Sequence, residues 1–228
     1  MCGELIKVNS ASDLCEKCEK EVRYIEEPYC IKCGEPLSDK HQMICSRCVE
    51  KTYNYDRAMG IFVHDGVVKE SIYNYKFKNY RINADFYVNS ALKLYGDWLR
   101  RTKIDVIIPV PVHKSRERER GYNQATVFGK KLAEKTGIQL KDNILCKREK
   151  TKSQKKLSES LRFTNLKKAF EVNDSTLKGI TDVLLVDDIY TTGSTVDACS
   201  MVLKEHGVNK VYVLCISRGV DINYDKKA

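Results

Sequence analysis

The run Val183-Leu-Leu-Val-Asp187-Asp188-Ile-Tyr-Thr191-Thr192-Gly193-Ser194-Thr195 concentrates chemistry in one short stretch. Its apolar residues predict a strand buried on both faces, so Asp187 and Asp188 fall at the carboxyl end, where open α/β sheets bind ligands. Thr191 to Thr195 then offer successive backbone N–H groups, several hydroxyls and the positive end of a following helix, and Gly193 permits close approach. Such a turn can cradle one phosphate. Two adjacent carboxylates suit either the diol hydroxyls of a sugar or a hard Mg²⁺ ion that keeps most of its waters. No Gly-x4-Gly-Lys-Ser/Thr run is present, so the phosphate site is not of the Walker type.

A second chemical signal lies near the amino terminus. Cys15/Cys18, Cys30/Cys33 and Cys45/Cys48 form three pairs with identical two-residue gaps, the spacing of metal ligands. Cys30, Cys33, Cys45 and Cys48 supply a complete four-thiolate tetrahedron for zinc, and Gly34 suits the unusual backbone of the knuckle turn. Four thiolates leave no open coordination position, so this zinc is expected to be structural. Cys15 and Cys18 lack an obvious second pair. Cys2, the only other nearby thiol, brings this site to three ligands; His41 or another ligand completes it, or it is degenerate, or the chain starts a few residues upstream and Cys2 is the second member of a lost pair.

The middle of the chain carries Pro109-Val-Pro111 followed by Lys114, Arg116, Arg118, Arg120 and then Asn123-Gln124. The cations could neutralise a pyrophosphate while Asn123 and Gln124 donate hydrogen bonds. Alternation of these cations with Glu117 and Glu119 also fits a helix face braced by ion pairs, and both uses are expected together.

The strand-end run resembles the defining motif of the type I phosphoribosyltransferases, and the three-part layout resembles the competence-protein ComF family over almost the whole chain. The resemblance implies that Asp187 and Asp188 hold the ribose hydroxyls of 5-phosphoribosyl 1-pyrophosphate (PRPP). It assigns the 5-phosphate to Thr191, Thr192, Gly193, Ser194 and Thr195, with Mg²⁺ accompanying the ligand. If transfer occurs, Asp187 or Asp188 would steady charge at the ribose and Arg120 the leaving pyrophosphate, with Lys114 beside it. The stretch with Arg148, Thr151, Gln154, Leu157, Arg162, Asn165 and Phe170 would act as a hood that excludes water. Family membership also implies handling of imported single-stranded DNA during natural transformation, with a competence helicase or DNA-processing protein as partner. Lys150, Lys152, Lys155 and Lys156 suit such a polyanion, with tyrosines as stacking platforms. An active phosphoribosyltransferase in nucleotide or base salvage is the alternative. A zinc-module adaptor with a vestigial PRPP site is another. Residues that would bind the donor are recognisable; none is identified that reads an acceptor base.

The elements that must position these groups follow from periodicity. Beyond residue 56, β-rich and helical segments alternate, which predicts an α/β fold of the phosphoribosyltransferase type with a mainly parallel sheet and flanking helices. Strands are expected over 58–64, 105–111, 182–187 and 210–216, and helices over 66–76, 82–101, 123–135 and 194–206. A mobile loop over 147–156 and a short helix near 158–165 complete the reading, and Cys146, Cys199 and Cys215 are read as core residues. Residues 1–56 are expected to form a small zinc-ribbon module and 57–228 the phosphoribosyltransferase-like domain. With 228 residues, 42% of them hydrophobic, the chain can bury one ordinary core and a small appendage.

Charge follows the same division: 8 Lys/Arg against 11 Asp/Glu in 1–56, but 17 against 6 in 114–168 alone. The basic segment should meet an anion, whereas the acidic module by itself should not grip DNA. No stretch approaches the ~20 apolar residues of a membrane span, and residues 1–13 lack a secretory pattern, so a cytoplasmic location is expected.

Overall fold

The computed structural model describes residue 1, residues 14–148 and residues 168–220. Its strands are β1 (Arg57–Val63), β2 (Val106–Pro109), β3 (Gln139–Leu140), β4 (Leu145–Lys147), β5 (Phe170–Val172), β6 (Asp182–Tyr190) and β7 (Lys210–Arg218). Five of them form one sheet in the order β1-β7-β6-β2-β3, with every pairing parallel. The helices are α1 (Glu16–Glu21), α2 (Ser46–Glu50), α3 (Gly66–Phe77), α4 (Asn83–Arg101), α5 (Lys114–Arg120), α6 (Gln124–Thr136) and α7 (Ser194–Glu205).

Strand alternation divides the core in two. Ile107, Leu184, Val186, Leu214 and Ile216 cluster with Ile72 of α3, Tyr87 of α4 and Phe128 and Leu132 of α6. Their strand neighbours Ile108, Val183, Leu185, Val213 and Cys215 cluster with Cys199 and Leu203 of α7, with Leu145 and Phe170, and with Cys33 and Tyr55 of the cysteine-rich segment. A sheet covered on both faces explains why its inner strands read as unbroken apolar runs. Each fully buried Leu, Ile or Phe here is worth about 1.5–3 kcal/mol over the exposed side chain.

The chain direction changes at β6. From β2 the chain passes through α6 to β3 on one side, and from β6 through α7 to β7 on the other. The crevice at the carboxyl ends of β2 and β6 is therefore the topological switch point, the default ligand position of such sheets. The open edge of β1 is capped by the cysteine-rich segment: Tyr24 bridges Phe62, and Ile25 N donates to Ile61 O at 2.9 Å.

Two features depart from expectation. β4 and β5 form a separate antiparallel hairpin, so Lys147 ends a strand where a loop was expected; the rest of that loop's chemistry and the helix near 158–165 lie outside the described residues. Cys199 and Cys215 are buried core residues as read, but Cys146 is exposed, because alternation in β4 turns Leu145 inward and Cys146 outward. Among the described residues no helix is long and apolar enough to cross a membrane.

Candidate functional site

β6 carries its two acids to the switch point, and alternation sends them to opposite faces of the sheet. Asp188 turns toward α3, where the Lys76 ammonium lies 2.8 Å from Oδ1, both side chains being largely covered. Asp187 stands beside Cys215 in the neighbouring strand, with Lys147 of β4 among its charged neighbours. Burial and the charge of Asp188 together push the Asp187 carboxyl up to about 8. The two carboxylates thus straddle the strand end instead of converging on one atom, an arrangement suited to two adjacent hydroxyls.

Lys76 was not legible as a site residue. α3 starts directly beyond β1 yet ends at β6, so it spans the carboxyl edge of the sheet. Its last three residues bind the site together: Tyr75 Oη donates to Gln124 O at 2.9 Å, Lys76 pairs with Asp188, and the Phe77 ring carries the Arg120 guanidinium 4.9 Å from its centroid. Arg120 Nη1 donates to Gln124 Oε1 at 3.0 Å. Arg120 Nε and Gln124 Nε2 are buried without a hydrogen-bond partner among the described residues. Two buried donors left without an acceptor mark this corner as a place where polar groups are not satisfied within the described residues.

The other residues of the middle motif take different places. Lys114 and Arg120 stand at opposite ends of α5, about 9 Å apart along the axis, and Lys114 is exposed. Asn123 is spent on the fold: its Oδ1 caps α6 by accepting from Ala125 N, and its Nδ2 donates to Val110 O, both at 3.0 Å. It therefore holds the Pro109–Pro111 turn against α6, with its carbonyl oxygen and one of its two amide N–H groups committed to the fold. The expected Arg–Glu bracing of α5 is absent among the described residues; Arg118 Nε reaches only the Lys114 carbonyl, at 3.4 Å. A seven-residue helix exposed almost throughout leaves these cations to solvent.

Thr191 and Thr192 are exposed, Gly193 is buried, and Ser194 and Thr195 are half-buried at the start of α7. The Thr192 and Ser194 hydroxyls are 2.8 Å apart. Gly193 has φ +77°, and a methyl group there would lie 2.6 Å from Tyr190 Cζ and closer still to its hydroxyl. The turn thus wraps on the Tyr190 ring, as only glycine allows.

On the same face as α7, the sulfurs of Cys30, Cys33, Cys45 and Cys48 all lie within 4.8 Å of one another, with 3.6 Å between those of Cys33 and Cys45. A zinc tetrahedron with Zn–S near 2.3 Å requires sulfurs about 3.8 Å apart, so the four thiols fit zinc in both chemistry and spacing. Gly34, beside the second ligand, has φ +74° with its Cβ direction closed by Ala58 O, as the knuckle turn requires. Cys18 is buried against Leu14 and Val67 with Cys15 beside it; Cys2 lies outside the described residues, and His41 is exposed.

Arg148 N donates to Ala169 O at 2.9 Å, which extends the β4–β5 pairing by one step beyond Lys147. The expected hood residues Thr151, Gln154, Leu157, Arg162 and Asn165, with Lys150, Lys152, Lys155 and Lys156, lie outside the described residues.

Residues 1–49 match the double zinc ribbon domain. The chain is 32% identical to Competence protein F of Haemophilus influenzae and 29% identical to DNA utilization protein YhgH of Escherichia coli, with 90% of both chains covered in each case. Among solved structures, 59% of the chain is similar to glutamine phosphoribosylpyrophosphate amidotransferase from B. subtilis, at 20% identity and a TM-score of 0.39, and it spans 25% of that chain.

Proposed function

The chain belongs to the Competence protein F family, and on that premise we propose that it binds PRPP with Mg²⁺ at the carboxyl end of β6 and serves the handling of imported single-stranded DNA. One observation carries the ligand reading: the end of α3 ties Asp188, Arg120 and Gln124 into one corner, with Arg120 Nε and Gln124 Nε2 buried and unpartnered. In this reading the carboxylates of Asp187 and Asp188 hold the ribose hydroxyls. Thr191 to Thr195 and the first turn of α7 hold the 5-phosphate, and Arg120 with Gln124 receives the diphosphate. Mg²⁺ would neutralise the diphosphate, and either aspartate could offer it one of the oxygen donors it prefers. The same groups would steady a positive ribose carbon and a departing pyrophosphate if an acceptor were seated.

Titration calorimetry of the zinc-loaded protein with PRPP and Mg²⁺ tests this. Heat of binding is expected for the wild type, and Asp188→Asn should weaken it by about 2 kcal/mol, roughly 30-fold, through loss of a charge-assisted bond. Binding should also release a proton near neutral pH. With its carboxyl pushed up to about 8 by burial and Asp188, Asp187 makes charge-assisted bonds to hydroxyls only once ionised, so affinity should rise with pH by up to about tenfold per unit and level off above that value. Unchanged affinity in Asp188→Asn, or a flat pH profile with no proton release, would overturn the assignment.

The nucleic-acid part rests on a surface beside this corner. Tyr73 and Phe77 are about half exposed with rings 5.0 Å apart, Tyr80 is exposed, and Lys78 and Arg120 lie over the first two rings. The helix that ends at Arg120 also carries Arg116 and Arg118, exposed and without ion-pair partners among the described residues. Stacking rings bordered by free cations match the requirements of a single strand. With about four phosphate contacts, affinity for a short single-stranded oligonucleotide should fall roughly 50-fold between 50 and 200 mM salt. Arg116→Ala/Arg118→Ala should flatten that slope by about 1.4. A slope untouched by the double substitution would place the strand elsewhere.

A further inference from the structure

The most buried cation of the fold joins its two candidate sites. Arg218 ends β7 and is 1% exposed. Its Nη1 donates to Cys33 O at 2.6 Å, its Nη2 to Cys33 Sγ at 3.4 Å and to Glu35 Oε2, and its Nε to the same carboxylate oxygen at 3.0 Å. The guanidinium carbon is also 4.2 Å from the centroid of the Tyr190 ring. Tyr190 is 2% exposed, its hydroxyl lies 2.7 Å from that of Tyr55, and its carbonyl accepts from Gly219 N at 2.9 Å. Gly193 packs against the hydroxyl end of the same ring. One guanidinium therefore grips a cysteine of the four-thiol cluster and backs the ring around which the Thr191–Thr195 turn is built.

A second tie runs parallel to it. Asn54 N and Nδ2 donate to Asp197 Oδ1 at 2.6 and 3.0 Å, and Asp197 N donates to Gly193 O at 2.8 Å. The segment that follows the last cysteine is thus fastened to the first turn of α7.

We propose that Arg218 is a positioning residue through which the four-cysteine zinc site holds the Thr191–Thr195 turn in its ligand-ready shape. Electrostatics gives the reason. Four thiolates around Zn²⁺ carry a net charge of −2, which an N–H···S bond from a buried guanidinium offsets, as outer-sphere donors do in metal sites generally. Without the metal, nothing would hold the four sulfurs together. Arg218 then loses Cys33 as a fixed acceptor while still tied to Glu35, and the ring of Tyr190 loses the planar cation that holds it under Gly193. The consequence for ligand affinity rests on reading the turn as the phosphate site. The coupling itself does not.

The test separates the two by measuring hydrogen exchange of the amides in 191–195 in the full chain, with no ligand present. Stripping zinc from the wild type with a chelator is expected to speed exchange across this turn by more than across α4, which packs in the other core cluster. Arg218→Lys keeps a cation for Glu35 but loses the planar stack and the bond to Cys33 Sγ. It should show the faster exchange even with zinc bound, release zinc to a chelator about 10-fold faster or more, and respond little to stripping. PRPP calorimetry on the same samples adds the functional arm. Protection of 191–195 that is indifferent to zinc in the wild type overturns the coupling, whether or not PRPP binds. So does Arg218→Lys with wild-type exchange and wild-type zinc release. Coupling observed without PRPP binding in the wild type would sustain this proposal and sink the ligand reading alone. If Arg218→Lys fails to fold, the wild-type comparison with and without zinc still decides.

Discussion

Cys45→Ser is expected to empty the four-cysteine site and to cost the protein more stability than any other single exchange of similar size. Cys45 Sγ is 3.6 Å from Cys33 Sγ, and Cys45 is also the residue from which α2, only five residues long, begins. Helices of five and six residues cannot persist on their own, and among the described residues 14–56 have only α1, α2 and isolated bridges as regular structure. The segment therefore depends on the metal for its shape. Its buried side chains Cys30, Cys33, Leu37, Tyr53 and Tyr55 belong to the same core cluster as Val183, Leu185 and Val213 of the sheet, so the loss cannot stay local. Loss of a structural metal belongs with the few changes that exceed about 4 kcal/mol, which for a chain of this size lowers the melting temperature by roughly 8–16 °C. Metal stoichiometry by elemental analysis and a melting curve check this directly. Cys146→Ser, at an exposed thiol, should stay within about 0.5 kcal/mol of the wild type. Equal zinc content and equal melting temperature in Cys45→Ser would show that the four thiols are not the site.

The contrast between these two cysteines shows what a sequence can carry. Cys45 announces itself through the two-residue gap to Cys48, a local spacing with a geometric cause. The β6 strand, the Gly193 turn and α7 are equally local, since burial, alternation and the start of a helix are all written within a dozen residues. Helices α3, α4 and α6 show through their period. The partners of these elements do not. Lys76 reaches Asp188 across more than a hundred residues, because α3 spans the sheet edge instead of descending its face, and nothing in 66–77 encodes that path. Arg218 meets Cys33 and Glu35 across 185 and 183 residues; in the sequence it is one cation at the end of an apolar strand. The β4–β5 hairpin pairs two three-residue strands, too short to show a period of two, and so Lys147 reads as the beginning of a loop. Asn123 has the composition of a ligand donor, and only the Val110 carbonyl beside it reveals that one of its amide N–H groups is already committed.

Gly193→Ala is expected to be the most damaging substitution within the candidate phosphate turn, although it adds a single methyl group. A backbone at φ +77° costs an L-residue about 1–2 kcal/mol, and the methyl would press on Tyr190 Cζ at 2.6 Å. Tyr190 has no room to yield, because Tyr55 holds its hydroxyl, Arg218 covers its ring and Gly219 holds its carbonyl. Overpacking of this kind adds about 1–3 kcal/mol. The strain has two outlets. If the turn keeps its path, unfolding free energy falls by about 3 kcal/mol and ligand binding survives; if the turn moves off the ring, stability is largely retained and binding is lost. The second is expected, because Tyr190 is fastened at three points whereas Thr191 and Thr192 are exposed. Denaturant unfolding together with PRPP calorimetry separates the two. Tyr190→Leu in the same chain removes the overlapping ring and leaves only the backbone cost, so Gly193→Ala/Tyr190→Leu should bind better than Gly193→Ala alone. A double variant no better than the single one would mean that overlap with the ring is not what displaces the turn.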